Sequence, residues 1–203
     1  MAVQSVAMDQ KEHHKPTDRI LVERVLSGNT RAFGTIIRDT EGLVAQIVFK
    51  MIPDREERRD IAQDIYLKVF QKLDSFRFQS KLSTWIARIA YNTCINQLEK
   101  NKTSLIGNQY PTPNDREDEH EYPDGQNLEE NLMGAEFADL LASEIEKLPP
   151  LYKLLITLYH HQELSYSEIA QIVALPEGTV KSYLFRARKM LRERIQMIYN
   201  KGL

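Results

Sequence analysis

Several features that are common in other classes of protein are scarce in this 203-residue sequence. Cys94 is the only cysteine, which excludes internal disulfides and CxxC metal sites and leaves it as a small packing residue. The eight glycines are scattered and form no GxxxxGK[ST] phosphate loop. No apolar run approaches the length of a bilayer-spanning helix, and no secretory signal pattern is visible at the N-terminus. We therefore expect a cytoplasmic protein without membrane insertion.

The histidines offer little for metal binding. His13-His14 and His160-His161 are adjacent pairs whose rings point in different directions, and further ligands are missing from the pattern. A hydrolase that uses these histidines and the acidic segment described next is a weak alternative, because carboxylates in a proline-broken segment cannot hold a catalytic geometry. We predict no metal, no cofactor and no enzymatic activity.

Charge is distributed unevenly along the chain. The net charge is −2, but residues 101–134 hold eight acidic and two basic residues, a net charge of −6, so the remaining residues carry +4. The same segment contains several prolines and glycines, lacks helical periodicity and is too polar to bury a core. It predicts a flexible acidic linker between two small domains.

The linker sets the predicted domain boundaries. Residues 1–17 are expected to form a flexible tail, 18–100 a first domain, 101–138 the linker and 139–203 a second domain. Fully extended, about thirty residues reach roughly 100 Å at ~3.3 Å each. Since two adjacent turns of duplex DNA span about 70 Å, the two domains of one chain can reach successive sites on DNA.

Both domains show helical periodicity, and no alternating pattern competes with it. In the first domain, Thr17 or Asp18 is expected to cap a helix that Gly28-Asn29 ends. A second helix runs to the break at Pro53-Asp54. The third helix carries an apolar stripe that is expected to face the core: Ile61, Ile65, Val69, Phe70 and Leu73. A fourth helix covers residues 83 to about 100. The predicted fold class is all-α.

Residues 165–192 predict two helices joined by a tight turn. Pro176 interrupts the first helix and suits the start of the second. In the second helix four apolar residues recur at i, i+4, i+7 and i+11 and are expected to face inward: Val180, Leu184, Ala187 and Leu191. Six cations occupy the other faces: Lys181, Arg186, Arg188, Lys189, Arg192 and Arg194. Such a helix fits the major groove of DNA, although a solvated basic helix would show the same pattern.

The fourth helix of the first domain and the loop before it carry groups suited to nucleic acid. Trp85, Arg88, Asn92 and Asn96 fall at i, i+3, i+7 and i+11, a single face. The loop, residues 76–82, adds two aromatics, two cations and small polar groups. Aromatic rings stack on unpaired bases, and amides hydrogen-bond to base edges. Partial burial of Trp85 in the core agrees equally well with the pattern.

The third helix has a polar stripe of its own. Asp60, Gln63 and Asp64 lie together on the side opposite the apolar stripe. Such residues are suited to a protein partner, but a free-standing domain would carry the same residues as ordinary solvated charge. The pattern alone leaves both interpretations open.

Three motifs in one order resemble the bacterial RNA polymerase sigma factors of the extracytoplasmic-function (ECF) group. Region 4 of that family resembles LSYSEIAQIVALPEGTVKSYLFRARKML. Region 2 resembles three earlier stretches, LVERVLSGNTRAF, DIAQDIYLKVFQKLDSF and KLSTWIARIAYNTCINQL. The resemblance covers most of residues 18–100 and 139–196.

The resemblance implies a factor that binds core RNA polymerase, directs it to promoters and helps melt the −10 region. It implies that Asp60, Gln63 and Asp64 contact the clamp helices of the largest subunit, that the second domain meets the flap region, and that an anti-sigma partner exists. The implied −35 contacts are Thr179, Lys181, Ser182, Phe185, Arg186 and Arg188. The implied −10 contacts are Arg77, Phe78, Gln79, Ser80, Lys81, Trp85, Arg88, Asn92 and Asn96.

Some residues depart from the family pattern. Tyr183 stands where relatives often carry arginine, which predicts an aromatic contact to DNA in place of a charged one. Phe78 and Gln79 stand where glycine and an acidic residue are common, so the promoter sequence is not predicted. The leading alternative is a two-domain helix-turn-helix regulator that binds DNA without melting it.

Overall fold

The computed structural model describes residues 15–104 and 135–201, which form two compact helical units. The first unit ends at Asn101 but also includes Ala170–Ala174, and the second unit comprises the other described residues. No strand occurs in either described range, and the predicted all-α class is confirmed. Most of the predicted tail and most of the predicted linker lie outside the described residues.

The first unit contains four α-helices. Helix α1 spans Lys15–Leu26, α2 spans Thr30–Met51, α3 spans Glu57–Lys72 with a 3₁₀ turn at Leu73–Ser75, and α4 spans Leu82–Ser104. The break between α1 and α2 falls where it was predicted. Gly28 has a φ of +93°, which a side chain would disfavour, and the Asn29 side chain accepts the Ala32 N–H at 3.2 Å to cap α2.

Two expected helix ends are shifted. Helix α1 begins at Lys15, so Thr17 and Asp18 lie in its first turn and do not cap it. Helix α4 begins one residue earlier than expected and continues to Ser104, past the predicted boundary at residue 100. The Asp18 carboxylate is not available to cap α1, because it accepts from the Leu82 N–H at the start of α4.

Large apolar side chains from all of α2, α3 and α4 form the core of the first unit. Those almost completely buried include Ile36, Ile47, Met51, Ile65, Leu73 and Ile86. Truncating one of them to alanine is expected to cost about 2–5 kcal/mol. The predicted place of Phe70 in this core is wrong, because its neighbour Val69 takes the inward position and leaves Phe70 50% exposed, edge-on to Phe33.

The second unit contains α5 at Ala135–Glu146, α6 at Pro150–Ile156, a π-helical turn at Thr157–His161, the first half of α7, which spans Tyr166–Val173, and α8 at Glu177–Lys201. Its core gathers fully buried residues from four of these elements: Leu154, Leu155, Leu158, Ile169 and Leu184. None of the helices in the described ranges is both long and apolar enough to cross a bilayer.

Candidate nucleic-acid and partner interfaces

Helices α7 and α8 form the predicted helix-turn-helix. Helix α7 begins with a capping box, in which the Glu168 carboxylate accepts from the Ser165 N–H at 2.9 Å and the Ser165 hydroxyl accepts from the Glu168 N–H at 3.3 Å. Ala174 follows α7 with a left-handed φ of +55°. The Pro176 carbonyl then accepts the Val180 N–H at 3.1 Å to open α8. Pro176 therefore immediately precedes α8.

One face of α8 packs inward as predicted. Val180, Leu184 and Ala187 are fully buried, and Leu191 is 7% exposed. Burial of this face fixes the rotation of the helix about its axis, since side chains three and four positions apart share a face. The opposite side of the helix is therefore the one available to a ligand.

The six predicted −35 residues lie around that available side. Lys181 and Phe185 are exposed, while Thr179, Ser182, Arg186 and Arg188 are half-buried. The Lys181 ammonium pairs with the Glu177 carboxylate one turn earlier at 3.1 Å. The Ser182 hydroxyl donates to the Gly178 carbonyl at 3.0 Å. Cationic, hydroxyl and aromatic groups thus share one exposed surface.

Tyr183 does not belong to that surface. It is only 6% exposed and meets Tyr152 edge-on, with ring centroids 5.6 Å apart. Its position, three residues after Val180 and one before Leu184, turns the ring toward the core. The predicted aromatic contact of Tyr183 with DNA is therefore wrong, and Phe185 is the exposed aromatic residue among the six predicted −35 contacts.

Arg188 is held by groups from outside α8. Its Nε–H donates to His160 Nε2 at 3.3 Å, and its guanidinium lies 5.1 Å from the centre of the Tyr159 ring. His160 is thus an acceptor for an arginine. Within the described ranges, no three His, Cys, Asp or Glu side chains lie close enough together to hold a metal ion.

An aromatic cluster supports the predicted −10 loop of the first unit. Phe76 is buried at its start and contacts the rings of both Phe78 and Trp85, at centroid distances of 4.8 and 5.3 Å. Phe78 has a left-handed φ of +57°, at the position where relatives of the resembled family commonly have glycine. Arg77, Gln79 and Lys81 are exposed, and Ser80 is half-buried.

Two neighbouring residues of α1 fix this loop. The Asp18 carboxylate accepts the Leu82 N–H at 2.8 Å, so it caps α4, whose first N–H groups lack partners within the helix. The Arg19 guanidinium lies 5.1 Å from the centre of the Phe78 ring. Sequence reasoning missed both roles, because these residues lie about sixty positions before their partners and belong to no local motif.

Helix α4 presents the expected stripe. Arg88, Asn92 and Asn96 are exposed along one face, and Trp85 at its start is half-buried against Phe76. The Trp85 ring therefore belongs partly to the aromatic cluster and partly to the surface. The structure brings the stripe and the loop together, because Trp85 and Phe78 both contact the Phe76 ring.

The predicted polymerase contact on α3 is exposed. Asp60, Gln63 and Asp64 all lie at the surface. Lys68 pairs with Asp64 at 2.7 Å and donates to the Thr93 hydroxyl on α4 at 3.4 Å. The ion pair with Lys68 thus fixes the direction of the Asp64 carboxylate. Asp60 is exposed one turn earlier on the same helix.

Comparison with known proteins identifies the family. Residues 36–103 match Sigma-70 region 2, and residues 138–191 match Sigma-70, region 4. The chain is 34% identical over 187 residues to the ECF RNA polymerase sigma-E factor of Haemophilus influenzae, covering 89% of this chain and 96% of that relative. The chain belongs to the ECF sigma factors.

Further relatives agree with this assignment. The ECF sigma-E factor of Escherichia coli is 35% identical over 187 residues, covering 89% of this chain and 95% of that protein. The structure of CnrH in complex with the cytosolic domain of CnrY aligns with a TM-score of 0.61 at 22% identity, covering 89% and 97% of the two chains. The sigma factor RpoE of Bartonella quintana, solved in complex with the anti-sigma factor NepR, aligns with a TM-score of 0.58 at 21% identity, covering 81% and 96%. At these identities the structures establish the fold.

As an ECF sigma factor, the chain binds core RNA polymerase, directs it to specific promoters and helps to melt the −10 region. The implied partners, core polymerase and promoter DNA, follow from the family. Which residues of this chain make those contacts is a separate question.

Proposed function

We propose that the two units divide promoter recognition between them. Residues 139–203 bind the −35 element as duplex, whereas residues 18–100 bind core polymerase and the −10 element. Residues 101–138 then act as the acidic linker and 1–17 as a tail. The sites act in the cytoplasm, where polymerase meets the chromosome.

The observation that carries the −35 assignment is the two-sided character of α8. Its apolar face is buried, and its opposite side carries Lys181, Phe185 and Arg186, with Thr179, Ser182 and Arg188 beside them. Cations attract phosphates, and a helix with one packed face enters the major groove with its other side. These six residues are therefore the proposed −35 contacts.

The −10 assignment rests on the aromatic rings and amides that the loop and α4 present beside the cations Arg77, Lys81 and Arg88. Opening duplex DNA costs about 1.4 kcal/mol per stacked step. The energy must come from binding, because the proposed action includes no covalent step. A stacked base gains about 1–3 kcal/mol on an aromatic ring. Capture of unpaired bases by loop 77–81, Trp85, Arg88, Asn92 and Asn96 therefore favours the open form.

The polymerase contact is assigned to Asp60, Gln63 and Asp64 on α3. Their exposure supports the assignment, and so does the Lys68 ion pair, which holds the Asp64 carboxylate in one direction. Carboxylates and an amide on a rigid helix face suit a basic or hydrogen-bonding surface on the largest subunit. The flap region is the proposed partner of the second unit.

An anti-sigma protein is the proposed regulatory partner. RpoE of Bartonella quintana was solved with the anti-sigma factor NepR, and its fold resembles that of this chain. Such a partner would have to cover one of the three surfaces proposed above in order to block transcription.

The proposal is tested by gel mobility shift on a promoter fragment selected from random DNA by the reconstituted holoenzyme. We expect tight binding only when core polymerase is present, together with permanganate-reactive thymines in the −10 region. Equally tight binding by the chain alone, without reactive thymines, would support a regulator that binds DNA without melting it.

A further inference from the structure

Two stacked tyrosine rings contact two cations of the proposed −35 surface. Tyr159, in the π-helical turn, and Tyr166, the first residue of α7, stack with centroids 4.8 Å apart and an interplanar angle of 17°. The Lys181 ammonium lies 5.3 Å from the centre of the Tyr166 ring. The Arg188 guanidinium lies 5.1 Å from the centre of the Tyr159 ring. We name these four residues the tyrosine ladder.

We propose that the two tyrosines of the ladder are positioning residues, which hold Lys181 and Arg188 in the directions needed for contact with promoter DNA. The inference rests on the proposed −35 function of α8. It adds two residues from outside that helix, neither of which needs to touch DNA.

The spacing of the two cations suits such a role. Lys181 and Arg188 are seven positions apart, so they share one face of α8 and lie roughly 10 Å apart along its axis. Both distances to the rings fall inside the range of about 6 Å in which a cation is attracted to an aromatic face. One stacked pair thus reaches both cations.

Each cation also has a second partner. Glu177 pairs with Lys181 at 3.1 Å, and His160 accepts from Arg188 at 3.3 Å. Arg188 is thereby held from two directions, by a tyrosine ring and an imidazole, whereas the Glu177 carboxylate competes with DNA phosphates for Lys181. Less conformational freedom remains to be lost when DNA binds, which is the basis of preorganisation.

A tyrosine ring suits this task better than a carboxylate would. A ring fixes the direction of a cation but leaves its full positive charge for a phosphate. Burial, followed by hydrogen bonding to Tyr159, raises the pKa of Tyr166 above its ordinary 10.0, while Arg188 opposes the rise. The phenol therefore stays neutral, and the ladder adds no negative charge to the surface facing DNA.

A double-mutant cycle tests the ladder with holoenzyme and the selected promoter. Tyr159→Leu alone is expected to weaken closed-complex binding about three- to tenfold. In the Arg188→Ala background the same change should cost less than about twofold, because the group that it positions is gone. Tyr159→Phe keeps the stacked ring and should keep most of the affinity.

Arg186→Ala provides the matched control, because Arg186 lies on the same helix but outside the ladder. Tyr159→Leu and Arg186→Ala should be additive. An undiminished effect of Tyr159→Leu in the Arg188→Ala background would overturn the ladder while leaving the −35 surface intact. Wild-type affinity of both Lys181→Ala and Arg188→Ala would instead remove the proposed −35 contacts on which the ladder rests.

A second measurement uses the unmodified chain, so it does not depend on the folding of any variant. Nitrogen relaxation of arginine Nε–H groups reports side-chain motion on the picosecond-to-nanosecond scale. Arg188 should be markedly more rigid than the exposed Arg192 on the same helix. Equal mobility of the two side chains would contradict the inference.

Discussion

The two proposed DNA surfaces of this sigma factor have different chemistry. The surface on α8 joins three cations, Lys181, Arg186 and Arg188, to hydroxyl groups, whereas the loop and stripe of the first unit join three cations, Arg77, Lys81 and Arg88, to aromatic rings and the amides of Asn92 and Asn96. Phosphate attraction makes binding salt-dependent and acts on intact duplex. Amides and aromatic rings act on bases that become accessible only when the strands separate. Under the proposed assignments, this difference would let one surface find the promoter and the other favour its opening.

The two surfaces also share a structural device. In each, residues distant in sequence contact the groups that we propose face DNA. Tyr159 and Tyr166 hold cations of α8, while Asp18 and Arg19 of α1 hold the loop before α4. A surface helix or loop presents a defined geometry only when such supports restrict its side chains.

The largest effect is expected from loss of polymerase binding, because both proposed DNA surfaces are expected to act only within the holoenzyme. We expect Asp60→Lys combined with Asp64→Lys to abolish co-purification with core polymerase. Two exposed acids of one stripe would become cations and repel any surface suited to carboxylates. The charge-reversed protein should also lose all transcription from the selected promoter, measured in a reconstituted assay.

The control is Glu23→Lys combined with Asp39→Lys, which reverses two exposed acids on α1 and α2. This protein should bind polymerase normally. If the stripe variant binds normally as well, the docking assignment to α3 is wrong.

Cys94 reports whether these variants remain folded. Burial raises the pKa of its thiol to about 12, with Lys68 opposing the rise. Since the folded pKa lies above the ordinary 9.0, the fold favours the neutral thiol, and this contribution to stability is lost only as pH rises toward the folded value. At pH 8 a thiol reagent should therefore react with Cys94 only after unfolding.

The salt dependence of promoter binding sharpens the comparison. Lys181→Ala and Arg186→Ala should each weaken closed-complex binding, by about 1–3 kcal/mol where a base contact is lost. Loss of a phosphate contact should also lower the salt slope by about one. Asn92→Ala should leave that slope unchanged. A slope that does not respond to either cation would argue against the −35 surface.

Strand opening is the step that should depend on α4. Asn92→Ala is expected to leave the closed complex nearly intact and to weaken the open complex, because its ligand is a base exposed only after melting. Permanganate footprints on duplex and on pre-melted templates distinguish two roles. Rescue by the pre-melted template indicates a role in opening, and a persistent defect indicates that Asn92 reads the captured base. Wild-type footprints on both templates would show that this stripe takes no part in strand opening and is an ordinary solvated surface.

The support beneath the −10 loop should have a smaller effect. Asp18→Ala removes the cap of α4 and is expected to lower the free energy of unfolding by about 0.5–2 kcal/mol. Asp18→Asn keeps an oxygen acceptor for the Leu82 N–H and should recover most of the loss. Chemical denaturation measures both, and equal stability of all three proteins would show that this hydrogen bond contributes nothing.

Local patterns were sufficient to predict most of the fold. Helical periodicity predicted the inward face of α8 and the breaks at Gly28-Asn29 and Pro53, because each depends on residues within one or two turns. The exposed Phe70 and the buried Tyr183 were not predicted correctly. Each lies at the border of an apolar stripe, where the neighbouring helix decides whether a ring is covered.

The residues that hold the candidate contact residues in place could not be predicted from the sequence. Asp18 caps a helix that begins at Leu82, and Tyr159 meets Arg188 across one intervening helix. An acid in a first turn or a tyrosine before a helix is common, so neither signals its partner. The family resemblance supplied the proposed contact residues but not the residues that hold them.

The smallest expected effect is a gain of affinity. Glu177 pairs with Lys181 at 3.1 Å, and both side chains are about half exposed, so the pair itself is worth at most about 1 kcal/mol. Glu177→Gln frees the ammonium and removes a negative charge near the phosphates, and should strengthen closed-complex binding by up to about fivefold at low salt. The acid also lies in the first turn of α8, where it favours the helix, so its loss should lower stability by about 0.3–1 kcal/mol. Glu193→Gln is the matched control, since Glu193 faces Lys189 at 3.9 Å, outside the proposed contacts. An equal gain from both substitutions would mean that net charge alone, and not release of Lys181, determines the affinity.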